Sequence, residues 1–215
     1  MRRLALLLIL LAAAVPSTAG AATPILGGEK ASADAARAWA RTHGATPTFV
    51  RLAAVYWELA PKRGIRPEVA YAQSAKETNF GRFTGVLDAS FRNPCGLKVT
   101  AGGGNYDPAA HKRFPTWRVG IAAHLDHMAL YAGADGYPRR STPDPRHFPF
   151  LHGTAPSVER LGGKWAPSPA YGRDLAKLVR ALVASAPPAA PAPPAVEPTP
   201  RPVPLGVLRA VGTTI

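Results

Sequence analysis

Nine prolines fall within the 18 residues from Pro187 to Pro204, interleaved with alanine. Such a run has few backbone donors and almost nothing to bury, so it extends as a polyproline-type spacer and stays out of any core. The start of the chain is excluded on different chemistry. Arg2 and Arg3 precede an unbroken apolar run of 12 residues, Leu4 to Val15, and Ala19-Gly20-Ala21 follows as a small-residue cleavage site. The run falls short of the about 20 residues a membrane helix needs. Residues 1–22 therefore read as a cleaved export signal, with an uncleaved tether as the alternative. What is left to fold is 23–185, one domain's worth of chain, with 186–215 expected as a disordered Pro/Ala-rich tail. The expected location is secreted or at the cell envelope, without stable membrane insertion.

The net charge is +13, and +11 once the two arginines of the signal are gone. A basic exported protein adheres to polyanions such as anionic cell-wall polymers. No recognition helix, RNA-binding signature or zinc finger is visible, so nucleic acid is not an expected partner. The single cysteine, Cys95, excludes an internal disulfide, and the core must hold itself together. "NPCGL" has Pro94 where exported cysteine peptidases of this pattern carry an Asp, which favours a small buried thiol over a nucleophile.

Helical spacing recurs along the domain. "ASADAARAWARTHG" stops at Gly44, and Thr46 can cap a second helix with Phe49, Leu52, Ala53, Tyr56 and Leu59 on its stripe. "IRPEVAYAQSAKETNFG" restarts with Pro67 and Glu68 in the first turn, where each is favoured. From Gly81 to Pro115 six glycines and short runs such as "CGLKV" suggest loops with a small sheet. Helix returns at "TWRVGIAAHLDHMALYAG", in a short piece near Val158, and at "PAYGRDLAKLVRALVAS". The expected fold class is α+β, mostly α, with a small β-rich lobe.

Glu77 is the acid that stands out. Its helical neighbours are Ala70, Gln73, Ser74 and Phe80, so it lies at the edge of the packed face, where helix gives way to the glycine-rich lobe. A carboxyl partly buried against apolar groups has its charged form disfavoured and its pKa raised. A general acid working near neutrality needs that, and glycoside hydrolysis uses a protonated carboxyl to release the leaving oxygen.

"AQSAKETNFGRF", "NPCGLK", "FPTWRVGIAAHLDHMALYA" and "GTAPSVERLGGKWAPSPAYGRDLAKLV" occur in order. Together they resemble the bacterial glucosaminidase-domain family, which includes autolysins and flagellar peptidoglycan hydrolases, over roughly residues 25 to 183. The resemblance implies a lysozyme-like fold and hydrolysis of β-1,4 bonds after N-acetylglucosamine in peptidoglycan. It makes Glu77 the catalytic acid and Tyr171, in its W-A-x-x-P-x-Y-G context, the active-site tyrosine. The second Glu that family members often carry in the lobe is absent: Asp88 and Asp107 are the only acids between residues 81 and 116. Asp107 is preferred as the second catalytic carboxylate. Attack by the substrate's own N-acetyl group, which needs no second acid, stays open. A lytic transglycosylase, a lysozyme-type muramidase and a non-catalytic wall-binding module are the alternatives.

Phe80, Tyr106, Trp117 and Trp165 are candidate substrate-binding residues, as flat aromatic faces suit the apolar faces of sugar rings. Asn93 either shapes the turn into the lobe or holds the substrate's acetamido group. His124 and His127, at i and i+3, lack a convincing third ligand, so packing and hydrogen bonding are expected of them. No metal or cofactor is expected. The protein is expected to act as a monomer.

Overall fold

The computed structural model describes residues 21–186. The expected signal up to residue 20 and the proline-rich tail from residue 187 lie outside the described residues. Five helices carry the fold: α1 (Ala33–Thr42), α2 (Pro47–Leu59), α3 (Pro67–Thr78), α4 (Trp117–Ala132) and α5 (Tyr171–Ala184). Short side chains start three of them. Ser32, Thr46 and Thr116 each accept a hydrogen bond from the backbone N–H three residues on, and Pro67 opens α3. Left-handed residues stop others, Asn79 after α3 and Gly133 after α4.

The helices form one core in which α3 and α4 are innermost. Every residue of α3 from Pro67 to Ala75 is buried, and so is nearly all of α4 from Gly120 onward. α4 is buried almost all round although it carries His124, Asp126 and His127, each of which has a hydrogen-bonding partner inside. α5 packs on α3, and α2 packs on α1, α3 and α4. Tyr56, Tyr71 and Phe49 are the core's largest fully buried side chains, and Trp39 packs beside them.

The β-rich lobe is corrected. Among the described residues pairing is confined to isolated bridges, and the stretch from 81 to 116 holds one, Lys98 with His111. Two main-chain bonds cross it there, from the Lys112 N–H to the Leu97 carbonyl and from the Val99 N–H to the Ala110 carbonyl, each at 2.9 Å, and a side chain supplies further order. Buried Asn93 donates to the carbonyls of Leu97 (2.8 Å) and Lys112 (3.0 Å) and accepts from the Leu97 N–H (3.0 Å). One amide thus extends a pairing that the main chain carries only across a single bridge. Cys95, Leu97, Phe114 and Ala123 form a small second core beneath it, and Cys95 is the buried thiol anticipated from its sequence context.

The long segment from 133 to 156 is pinned at two buried carboxylates. Asp126 on α4 accepts from Tyr137, Thr142 and the Arg63 guanidinium, each at 2.7 Å. Asp144 meets His127 at 2.8 Å and His147 at 3.2 Å. Two glycines then set how closely elements approach. A Cβ at Gly172 would stand 2.5 Å from the carbonyl oxygens of both Val158 and Glu159, so α5 begins hard against the 3-10 turn Val158–Leu161. A Cβ at Gly120 would reach 2.0 Å from the Arg92 carbonyl, which brings α4 directly under the Asn93 loop.

Candidate active site

Glu77 is in the last turn of α3, where the helix leaves the core. Its carboxylate is half-buried and opens into a cleft of about 200 Å3 bordered by Asn79, Phe83, Asn93, Gly96 and His111. Tyr171, the first residue of α5, donates its hydroxyl proton to Glu77 Oε1. The two residues are 94 apart in sequence, and the packing of α5 on α3 joins them.

Behind this pair runs a line of buried polar groups with one direction. Gln73, one turn before Glu77, donates from Nε2 to the Tyr171 hydroxyl at 2.9 Å. Its Oε1 faces His124 Nε2 at 3.0 Å, and His124 Nδ1 faces the Tyr56 hydroxyl at 2.8 Å. Burial, and then the neighbouring His127, push the His124 pKa down to about 3, so the ring is neutral. A neutral imidazole has one donor and one acceptor. With Oε1 of Gln73 able only to accept, the proton sits on Nε2, and Nδ1 accepts from Tyr56. The sequence of donation is Tyr56 to His124 to Gln73 to Tyr171 to Glu77. Tyr171 keeps its proton, since burial and the facing Glu77 push its pKa well above the ordinary tyrosine value.

Burial raises the Glu77 pKa. The Tyr171 hydroxyl, the Lys76 ammonium and the Trp165 indole pull the other way without cancelling it. With Oε1 occupied by Tyr171, the proton of the acid form belongs on Oε2. A half-buried carboxyl with a raised pKa, one oxygen held and the other free, is equipped to protonate a leaving oxygen.

The other expected site residues divide. Trp165 packs edge-on against His124 (5.7 Å) and His127 (5.1 Å) and lines a cavity that meets the Glu77 cleft at Gly96. Tyr106 is 90% exposed, beside Asn105, which lines the same cavity. Asn93 borders the cleft, but both ends of its amide are taken by the turn it shapes.

Asp107, Phe80 and Trp117 are not among the residues that line the Glu77 cleft. The Asp107 side chain caps a 3-10 turn by accepting from the Ala109 N–H at 2.9 Å. Phe80 turns away from the cleft, because α3 ends at Thr78 and Asn79 and Phe80 are both left-handed (φ 48° and 56°). Its ring stacks on His43 at 4.9 Å and packs on Trp39 at 5.2 Å. Trp117 lines an apolar cavity with Phe49 and Leu52 that adjoins the Glu77 cleft at Thr78 and Phe83. As the first residue of α4 it covers the seam between α2 and the loop after α3. Asp88 likewise serves as a cap, accepting from the Ser90 N–H at 2.8 Å. Glu77 is the only Asp or Glu bordering the cleft among the described residues. Two members of the buried line, Gln73 and Tyr56, were visible in the sequence only as a helix-face neighbour and a core aromatic.

Residues 53–183 match the family model described as Glucosaminidase, mannosyl-glycoprotein endo-beta-N-acetylglucosaminidase. The match contains Glu77, Gln73, His124 and Tyr171. An uncharacterized protein of Borreliella burgdorferi is 28% identical over 120 residues, which is 56% of this chain and 56% of that protein. The chain thus spans about half the length of the curated relative it matches. No solved structure matches.

Proposed function

We propose, from the premise that the chain belongs to the glucosaminidase family of glycoside hydrolases, that it cleaves β-1,4 bonds after N-acetylglucosamine in peptidoglycan. The observation that carries this reading is the Tyr171 hydroxyl on Oε1 of a partly buried Glu77 at the base of a cleft. Glu77 Oε2–H gives its proton to the glycosidic oxygen as that bond breaks. The 2-acetamido carbonyl of the same sugar closes on the anomeric carbon from the opposite face, forming an oxazolinium ring. Glu77, now ionised and held by Tyr171, accepts a proton from the water that opens this ring, and the acid is restored. Substrate assistance suits a cleft bordered by no second Asp or Glu, with Asp88 and Asp107 committed to capping turns outside its lining. The scheme uses no metal or cofactor. The family, the expected export signal and the basic charge support a reading in which the protein acts on wall glycan at the cell envelope, as a monomer.

Mass spectrometry of products from purified peptidoglycan tests the reading. Reducing N-acetylglucosamine ends are expected. Anhydro-muramic ends would make the protein a lytic transglycosylase, which also works with one carboxylate, and reducing muramic ends a lysozyme-type enzyme. Wall binding without any release would make it a binding module. Glu77→Gln should keep the fold and lose about 10²–10⁴-fold in turnover, the usual contribution of a general acid. A loss under about tenfold would remove Glu77 from that role.

A further inference from the structure

The cavity that meets the Glu77 cleft at Gly96 is the larger of the two, about 480 Å3. Trp165 and Tyr131 supply its aromatic wall, Lys98, Arg146 and Lys164 border it, and no Asp or Glu lines it. These cations are held by neutral oxygens, as Arg51, Arg82 and Arg113 are, and not by carboxylates. Arg63 pairs with Asp126, Arg66 with Glu68, Arg118 with Glu58 and Lys177 with Asp174. Lys98 instead donates to the Gly103 carbonyl and Asn105 Oδ1, Arg146 to the Thr100 carbonyl, and Lys164 to the Thr154 carbonyl. Neutral oxygens orient a cation and leave its charge uncancelled. Asp144, next to Arg146 in the fold, is buried, accepts from His127, His147 and the Arg146 N–H, and does not line the cavity. Like charges around one concavity add their fields and concentrate an anion there.

Because the cavity shares Gly96 with the cleft and its Trp165 stands against Glu77, its ligand is taken to be carried by the strand being cut. The sugars of that strand are N-acetylated and neutral, and its anionic groups are the carboxylates of the peptide branches on the muramic residues. Resting on the substrate reading above, we propose that Lys98, Arg146 and Lys164 form an anion subsite for a carboxylate of the peptide branch. Trp165 packs against the sugar that bears it. The enzyme thereby selects acidic, peptide-bearing glycan over bare or amidated glycan.

The test compares two soluble glycan fragments of equal length, one with free peptide carboxylates and one with those carboxylates converted to amides. For the wild-type chain kcat/KM should be about tenfold higher on the acidic fragment, the scale of several partly exposed charge pairs acting together. The difference should lie in KM and shrink as salt rises from about 0.05 to about 0.5 M. The triple variant Lys98→Gln, Arg146→Gln, Lys164→Gln should treat the two fragments alike, and the exposed Lys164→Gln alone should narrow the ratio. Equal wild-type turnover of both fragments, or a preference that survives in the triple variant, overturns the subsite. A polyglycerol phosphate that competes better than the free acidic peptide would do the same, by identifying the anion as a phosphate polymer. If neither fragment is cut, the substrate reading fails, and the subsite is then judged by equilibrium binding to Glu77→Gln. Tighter binding of the acidic fragment supports the subsite, and equal binding rejects it.

Discussion

Tyr171 is the residue whose role can be separated most cleanly from its packing. Its hydroxyl holds the ionised form of Glu77 and so keeps that carboxyl's pKa lower than burial alone would set it. Tyr171→Phe removes this hold, and the Glu77 pKa rises. The falling limb of the pH–rate profile, where the general acid is lost on ionisation, should move to higher pH as kcat drops. The groups facing Glu77 besides Tyr171 are Lys76, the Trp165 indole and the Cys95 thiol, none of which the substitution changes. The change also leaves Gln73 Nε2 without its acceptor, at about 1–3 kcal/mol of stability, measurable by urea unfolding. A limb that stays in place would show that Tyr171 fills space only. Phe80 marks where residue-scale reading of the sequence fails. Helical spacing puts it one turn from Glu77, but two successive positive φ angles swing it to the other side of α3. A left-handed Asn-Phe pair leaves no periodic trace.

At the scale of the elements, α5 places Tyr171 by where it starts, and Gly172 decides that start. Gly172→Ala drives a methyl group into two carbonyl oxygens, so α5 must shift. Overpacking of this kind costs about 1–3 kcal/mol, and here it should also lower kcat by loosening the Tyr171 contact with Glu77. Gly28→Ala, with no atom within 4 Å of the added carbon, is the control and should change neither. Urea midpoints with turnover assays on the two variants make the check. All five helices were legible in the sequence, because caps, prolines and apolar spacing are local signals. The lobe was not. Glycines and short apolar runs look the same whether a sheet or a single bridge with one buried asparagine organises the loop, and the second holds here. The line from Tyr56 to Glu77 was equally hidden. Its partners are 68, 51 and 98 residues apart at successive links, and only the packing of helices brings them together.

For the molecule as a whole, acid is the vulnerable direction. His124 is buried neutral with its pKa at about 3, while an unfolded chain protonates histidine near 6.5. Its contribution to stability is present above about 6.5 and is lost as pH falls toward about 3, because the unfolded state takes a proton that the native state refuses. One extra proton bound by the unfolded state gives a slope of about 1.4 kcal/mol per pH unit. Equilibrium unfolding of wild type and His124→Gln between these pH values should differ by up to that slope. Parallel curves would mean that His124 takes up its proton without unfolding the chain. The hydrogen-bonded line through His124 also governs how heat acts on the enzyme. Its members come from α2, α3, α4 and α5, and Tyr56, Gln73 and His124 have no exposed surface. Water cannot reach these links until the helices separate, and in a small cooperative domain they separate together. Warming therefore ends catalysis in the same step that ends the fold, in the manner of a fuse and not of a dimmer.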